Sequence, residues 1–213
     1  MNRLRGQSGL TYVIWSVLTV ELLLSVATAR WTVAFVSLAT LALTMTPIFL
    51  APRLNIRLPR SIVAAIVVFI FATLFLGEVM DFYIRLWWWD IALHGMSALG
   101  LGFAGFLLVF ILFEGDRYAA PAWAIGLLAF CFAVTIGVIW EVFEFAMDQT
   151  FGLNMQKSGL ADTMGDLIVD IIGAGVAGLT GALYLRGKAL GSVSALVEEF
   201  VDLNRRFFRR FKG

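Results

Sequence analysis

Charged residues and cysteine are scarce in this sequence. Lys, Arg, Asp and Glu together make up 15% of the 213 residues, and Cys131 is the single cysteine. One cysteine excludes an internal disulfide and a CxxC metal or redox motif, and its apolar surroundings favour a packing role. So few charges cannot cover a water-facing surface. The net charge of +1 gives no support to nucleic-acid binding, so no nucleic-acid partner is expected.

Apolar residues are correspondingly abundant: they make up 61% of the chain, and mean hydropathy is +0.90. Soluble domains contain roughly 45–50% apolar residues, and a spanning helix needs about 20 of them in a row. The sequence therefore predicts an all-α, polytopic membrane bundle of about six transmembrane helices. Arg30 alone separates the first two, which predicts a tight helical hairpin. The predicted spans are 10–29, 31–51, 61–77, 93–113, 121–147 and 163–185, the fifth continuing past the membrane surface or tilting.

The N-terminus imitates a signal peptide, since Arg3 and Arg5 precede an apolar run that ends in Ala27-Thr28-Ala29. The run is too long for a signal sequence and contains Glu21, so we interpret it as a retained first helix. Basic residues then set the orientation, because cytoplasmic loops are rich in Lys and Arg. Placing both termini in the cytoplasm of a bacterial cell, with the bundle in the inner (plasma) membrane, leaves only three basic residues outside. These are Arg30, Arg85 and Lys157; the thirteen inside are Arg3, Arg5, Arg53, Arg57, Arg60, Arg117, Arg186, Lys188, Arg205, Arg206, Arg209, Arg210 and Lys212.

The C-terminal segment differs in pattern from the membrane spans. We divide the chain into a six-helix transmembrane domain, 1–188, and a basic amphipathic cytoplasmic tail, 189–213. A face rich in charge opposes the apolar face of the tail, as in a helix lying on an anionic leaflet; a packing helix for a partner subunit is the alternative. The apolar residues at helical spacing are Val193, Leu196, Val197, Phe200, Leu203, Phe207 and Phe211.

Small residues form stripes on two spans. The run Gly173 to Gly178 matches GxGxxG literally, but no strand precedes it, so a dinucleotide site is not expected. Stripes of this kind let helices approach closely in lipid, and we expect the fourth and sixth spans to touch. The same Gly-rich faces could join copies of the chain or a partner subunit. The residues are Ala174, Gly178 and Ala182; Gly173, Ala177 and Gly181; and Gly95, Gly100, Gly102 and Gly105.

Acidic residues recur at helical spacing near the outer ends of the last three predicted spans. Glu141, Glu144 and Asp148 share one helix face; Asp162, Asp166 and Asp170 share another; Asp90 lies four residues before His94, the only histidine. A carboxylate at membrane depth is costly and needs a proton, a cation or a basic partner. Simpler interpretations exist for some of them: Asp162 as a helix N-cap, and Glu144 and Asp148 as solvated groups.

One His among several carboxylates suits a divalent ion of unspecified identity, such as Mg, Mn, Fe or Zn, or a general acid/base pair at the headgroup level. We take His94, Glu141 and Asp170 as candidate catalytic residues. The candidate metal ligands are Asp90, His94, Glu141, Glu144, Asp166 and Asp170.

Three motifs in residues 75–185 carry a family resemblance: Asp90-x-x-x-His94-Gly95, Glu141-x-x-Glu144, and the run from Asp162-Thr163 through Asp166 and Asp170 to Gly173-Ala174. With them the chain resembles the YjdF-like family of bacterial inner-membrane proteins and, more distantly, VanZ-like membrane proteins. The resemblance implies a bundle of about six helices with a shared polar site, and no particular activity.

Three hypotheses follow, all with membrane lipids as the immediate partners. The first is a metal-dependent or acid/base enzyme that acts on a lipid or envelope precursor from the outer face. The second is a small proton- or cation-coupled transporter, which would use the same residue types. The third is a non-catalytic accessory subunit whose carboxylates pair structurally.

Overall fold

The computed structural model describes residues 4–116 and 120–209, and all regular secondary structure in these ranges is helical. Arg3, Arg117, Arg210, Phe211 and Lys212, which entered the charge and tail arguments, lie outside the described residues. The helices are α1 Gly9–Ala27, α2 Trp31–Arg53, α3 Arg60–Ile70, α4 Phe82–Arg85, α5 Trp89–Leu112, α6 Ala122–Phe151, α7 Leu160–Leu185 and α8 Ser192–Leu203.

Six of these helices are long and apolar enough to cross a membrane, which confirms the predicted number of spans. They are α1, α2, α3 with its continuation to Val79, α5, α6 and α7. The fifth span is indeed long: α6 runs to Phe151 and ends at Gly152, whose φ of +65° is the left-handed conformation that favours glycine. The third span holds a feature that the sequence did not predict, because Phe71–Val79 is a π-helix.

The chain forms two compact units, the first made of the described residues up to 89 together with 202–204. Its core includes Leu18, Val67 and Phe75, with 2% or less of each exposed. At the α1–α2 turn, Arg30 pairs with Glu21 at 2.7 Å, so the intramembrane acid of the first span has a basic partner. The pair joins the turn to α1 in the helical hairpin that the short separation of the first two spans predicted.

The second unit comprises the described residues of 90–201 and 205–213. Its part of the tail contains most of α8, whose Val197 and Phe200 are buried. Phe208 is also buried and its ring contacts the rings of Phe110 and Phe200, 5.4 and 6.1 Å between centroids. The tail is therefore amphipathic as predicted, and the chain itself covers much of its apolar face. Its position on a leaflet stays a prediction.

Helix α7 packs closely on both neighbours within this unit. A Cβ at Gly173 would lie 2.9 Å from the Ala98 Cβ on α5, and a Cβ at Gly178 would lie 2.5 Å from the Gly126 carbonyl oxygen on α6. The contact between the fourth and sixth spans is confirmed. Each stripe of small residues packs against one neighbouring helix. Gly173, Ala177 and Gly181 face α5, and Gly178 and Ala182 face α6. Gly100 has open space around its Cα and takes no part.

This packing predicts a position-specific cost of one methyl group. Gly178→Ala should lower the free energy of unfolding by about 1–3 kcal/mol, because the new methyl must push α6 away. Gly175→Ala on the same helix meets nothing within 4 Å and should leave stability unchanged or raise it by up to about 1 kcal/mol. Reversible unfolding in mixed micelles measures both. Equal effects of the two substitutions would contradict the close approach of α6 and α7.

Candidate functional site

Four ionisable side chains meet inside the second unit, on three membrane helices. His94 comes from the first turns of α5, Glu141 from the last third of α6, and Asp166 and Asp170 from α7. His94 Nε2 lies 3.9 Å from Glu141 Oε1 and 4.0 Å from Asp166 Oδ2, whereas His94 Nδ1 lies 3.4 Å from Asp170 Oδ1. The imidazole is therefore surrounded by carboxylates on both of its nitrogen edges.

The cluster is buried, and several of its polar atoms lack a hydrogen-bond partner. The exposed fractions are 8% for His94, 4% for Glu141 and Asp166, and 2% for Asp170. Among the described residues, none makes a hydrogen bond to either carboxylate oxygen of Glu141 or Asp170, or to His94 Nδ1. A buried polar group without a hydrogen bond costs about 1–3 kcal/mol, and a charged one costs more. One imidazolium can balance only one of three carboxylates, so the site needs further protons or a cation.

The donor set on the Nε2 side fits a metal ion. One ligand atom each from His94, Glu141 and Asp166 lies within 4.8 Å of the others. Two ligands bound to one metal at about 2.0–2.2 Å stand roughly 3–4 Å apart, so shifts of up to about 1 Å would bring these atoms to a common centre. Three protein ligands with a fourth position left for water is the arrangement of catalytic zinc sites.

Asp170 lies on the opposite edge of the imidazole and does not belong to this three-residue group. A metal-bound histidine commonly directs its other nitrogen to a carboxylate, which fixes the ring orientation and the tautomer. Asp170 stands where such a carboxylate would, with its Oδ1 3.4 Å from His94 Nδ1. Gly137, which sequence reasoning missed, makes it possible, because a Cβ there would clash with the Asp170 carboxylate. Only an i+4 relation to Glu141 on the same helix could have drawn attention to Gly137.

The loop between α6 and α7 contacts the start of α5 through Lys157 and Asp90. Asp148 accepts hydrogen bonds from the backbone N–H groups of Met155 and Gln156 at 2.8 and 3.0 Å. The Gln156 amide donates to Thr163 Oγ1 at 2.6 Å. This clamp holds Lys157, whose Nζ lies 2.8 Å from Asp90 Oδ2. Asp148 is therefore a structural residue of the loop.

Two sequence interpretations change with the structure. Glu144, a candidate metal ligand, accepts a hydrogen bond from Trp140 Nε1 at 2.9 Å along the surface of α6 and enters neither group of candidate ligands. Asp162 is not the N-cap of α7. The helix begins at Leu160 after Gly159, whose φ of +66° and ψ of −129° suit glycine, so Asp162 lies in the first turn.

The buried carboxylates without hydrogen bonds predict that the cluster lowers the free energy of unfolding. Glu141→Gln keeps the side-chain size and removes a buried negative charge, so in chelator we expect the free energy of unfolding to rise by about 1–2 kcal/mol. Glu198→Gln on the exposed face of α8 should change it by less than about 0.5 kcal/mol. Unfolding titrations in mixed micelles give both values. A loss of several kcal/mol in Glu141→Gln would mean that a His94–Glu141 ion pair holds the fold.

Comparison with known proteins places the chain among membrane proteins. The model of a family described as "Predicted membrane protein (DUF2238)" matches residues 10–187. An uncharacterised protein of Thermotoga maritima is 32% identical over 98 residues, which make up 46% of this chain and 50% of the relative. The matched region thus spans about half the length of that curated relative. No solved structure matches the chain.

Proposed function

We propose a metal-dependent function for this chain, which belongs to the DUF2238 family of predicted membrane proteins. In this proposal His94, Glu141 and Asp166 bind one divalent ion, and the ion activates water to hydrolyse a lipid or an envelope precursor. The reaction takes place at the outer face of the bacterial inner membrane. Asp170 positions the imidazole from the other side of the ring.

A single observation carries the proposal. Glu141 is buried within a membrane helix, neither of its oxygens is hydrogen-bonded by a described residue, and one of them lies 3.9 Å from the only histidine. A carboxylate kept at such a cost is a functional group by default in a membrane span. The nearby Asp166 oxygen completes a donor set of the kind that binds Zn, Fe or Mn.

The depth of the cluster suits a substrate whose reactive group lies among lipid headgroups. α5 begins at Trp89, and His94 lies five residues further on, which corresponds to about 8 Å along the helix axis. Trp87 and Trp88 precede this helix and are 83% and 43% exposed. Tryptophan prefers the membrane–water interface, so this proposal places His94 below it. A headgroup ester could reach this position with its acyl chains still in lipid.

The chemistry requires little beyond the residues named. A divalent ion lowers the pKa of its bound water, and a neighbouring carboxylate takes the proton that the water releases. The water oxygen would bond to the carbon or phosphorus of the substrate ester, and the carboxylate would return its proton to the leaving oxygen. In this proposal the substrate reaches the cluster past Asp90 and Asp162, which are half-buried.

Transport receives less support from this geometry. A permease needs polar groups along both halves of the bundle, yet these buried side chains toward the other ends of α5 and α6 are apolar: Phe106, Phe110, Ile125 and Ala129. The resemblance to YjdF-like and VanZ-like proteins stays a prediction; it favours a role at the cell envelope and is neutral between an enzyme and an accessory subunit.

The first test is metal binding by purified full-length protein in detergent. Chelator-treated protein dialysed against Zn²⁺ or Mn²⁺ should retain at least one ion, measured by plasma mass spectrometry, and His94→Ala should weaken binding by at least about 100-fold. The loss follows from removing the only nitrogen ligand of three. The metal-loaded protein should also hydrolyse headgroups in vesicles of phosphatidylethanolamine and phosphatidylglycerol that carry a polyprenyl diphosphate, followed by mass spectrometry.

Asp81→Asn is the matched control for metal binding, because Asp81 is exposed and outside the cluster. It should bind as the unaltered protein does. Protein that retains no divalent ion, with unchanged stability in His94→Ala, would overturn the proposal and favour an accessory subunit. Metal binding without hydrolysis of any vesicle component would limit the function to binding.

The outer location has an independent test in living cells. With Cys131 replaced by serine, Asn154→Cys lies in the α6–α7 loop and Lys188→Cys lies after α7, and both native side chains are exposed. A maleimide that cannot cross membranes should label Asn154→Cys in spheroplasts and Lys188→Cys only after permeabilisation. The reverse pattern would place the cluster on the cytoplasmic side and remove envelope substrates from consideration.

A further inference from the structure

A second group of carboxylates lies next to the metal site proposed above. One carboxylate oxygen each of Asp90, Asp162 and Asp166 lies within 4.8 Å of the others. Asp166 thus belongs to both groups. Asp90 and Asp162 are half-buried, so this second group is the more accessible of the two.

Helical spacing explains why the two groups are adjacent. Asp90 precedes His94 by four residues on α5, and Asp162 precedes Asp166 by four on α7. Residues four apart lie on one helix face, about 6 Å apart along the axis. Each helix therefore places one ligand in the deep group and one in the outer group, and Asp166 stands between them.

Asp166 separates this arrangement from an ordinary acidic surface patch. It is only 4% exposed, and its Oδ2 lies 4.0 Å from His94 Nε2. Asp166 belongs to both sets of candidate ligands, and a carboxylate has two oxygens with which it can serve two sets. Carboxylates commonly bridge two metal ions about 3.5–4 Å apart in this way.

We propose that Asp90, Asp162 and Asp166 bind a second divalent ion, bridged through Asp166 to the ion at His94 and Glu141. This inference rests on the proposed function and adds to it. The outer set contains only oxygen ligands, which favours a hard ion such as Mg²⁺ or Mn²⁺. Paired ions suit the hydrolysis of phosphate esters, because they stabilise both the attacking and the leaving oxygen. The substrate class is therefore a phosphorylated lipid.

The reaction balances without any further reagent. A surrounding carboxylate would take one proton from a water molecule, and the water oxygen would form a new bond to phosphorus. The bond between phosphorus and the lipid oxygen breaks, and that oxygen takes up the proton. The products are a phosphate group and a lipid alcohol or a lipid with one phosphate fewer.

When the second ion is absent, the ammonium group of Lys157 is the cation beside Asp90. Its Nζ lies 2.8 Å from Asp90 Oδ2, and its side chain is 35% exposed on the α6–α7 loop. A divalent ion bound by Asp90 would displace the ammonium group, which could then contact the phosphate of the substrate. Lys157 is thus a competitor for the second ion and a positioning residue for an anionic headgroup.

The experiment is a Mn²⁺ titration of the full-length, chelator-treated protein in detergent. We expect two Mn²⁺ per chain and an exchange-coupled spectrum in electron paramagnetic resonance, since the ions share a carboxylate. Asp162→Asn should bind one Mn²⁺ with the uncoupled six-line spectrum. Lys157→Met should tighten the second ion by about two- to fivefold, the worth of an exposed ion pair.

The outcomes separate the two proposals. One Mn²⁺ per chain that His94→Ala removes, with no change in Asp162→Asn, would overturn the second ion and leave the first in place. No Mn²⁺ at all would overturn both. Asp81→Asn, with the same loss of charge at an exposed position, should keep both ions and the coupled spectrum. Circular dichroism of Asp162→Asn guards against misfolding, and a folded variant that keeps two coupled ions would also refute the bridge.

Discussion

The close approach of α7 to both α5 and α6 is the constraint on which the site depends. Without side chains at Gly178 and Gly126, the α6 and α7 backbones come within contact distance, and Gly173 does the same against α5. Lipid offers no hydrophobic gain for bringing helices together, so packing of this kind supplies much of the attraction. Because three helices converge, an imidazole from one and carboxylates from two others can share a space from which water is largely excluded.

This convergence buries more carboxylates than basic groups, and the surrounding residues compensate for the excess only in part. Three carboxylates surround His94, and those of Glu141 and Asp170 find no hydrogen bond among the described residues. A bundle selected for stability alone would have apolar side chains of similar volume there, since buried ion pairs seldom outweigh their desolvation. Gly137 shows that the arrangement is accommodated by the packing around it: the space for the Asp170 carboxylate exists because α6 has no side chain at that point.

Much of the fold was predictable, because lipid forces each span to satisfy its own backbone and therefore to be a long apolar helix. The convergence of His94, Glu141 and Asp166 was foreseeable in part, since periodicity places each on a definite helix face. The pairing of Lys157 with Asp90 was not, because it joins residues 67 positions apart through a loop conformation. Helix starts were also uncertain: the special dihedral angles of Gly159, and not the side-chain chemistry of an aspartate, begin α7.

The order of groups from the helix ends inward shows how charge is distributed with depth. At the entrance the ammonium of Lys157 already balances Asp90, in a partly exposed setting where an ion pair contributes little. Deeper in, His94 is the one base of the described part of the chain that pairs with Glu141, Asp166 and Asp170. The shortage of positive charge therefore grows as solvent screening falls. A cation from solution would therefore gain the most electrostatic stabilisation in the buried cluster. Asp90 on α5 and Asp162 on α7, one helical turn earlier, lie on the side from which it would come.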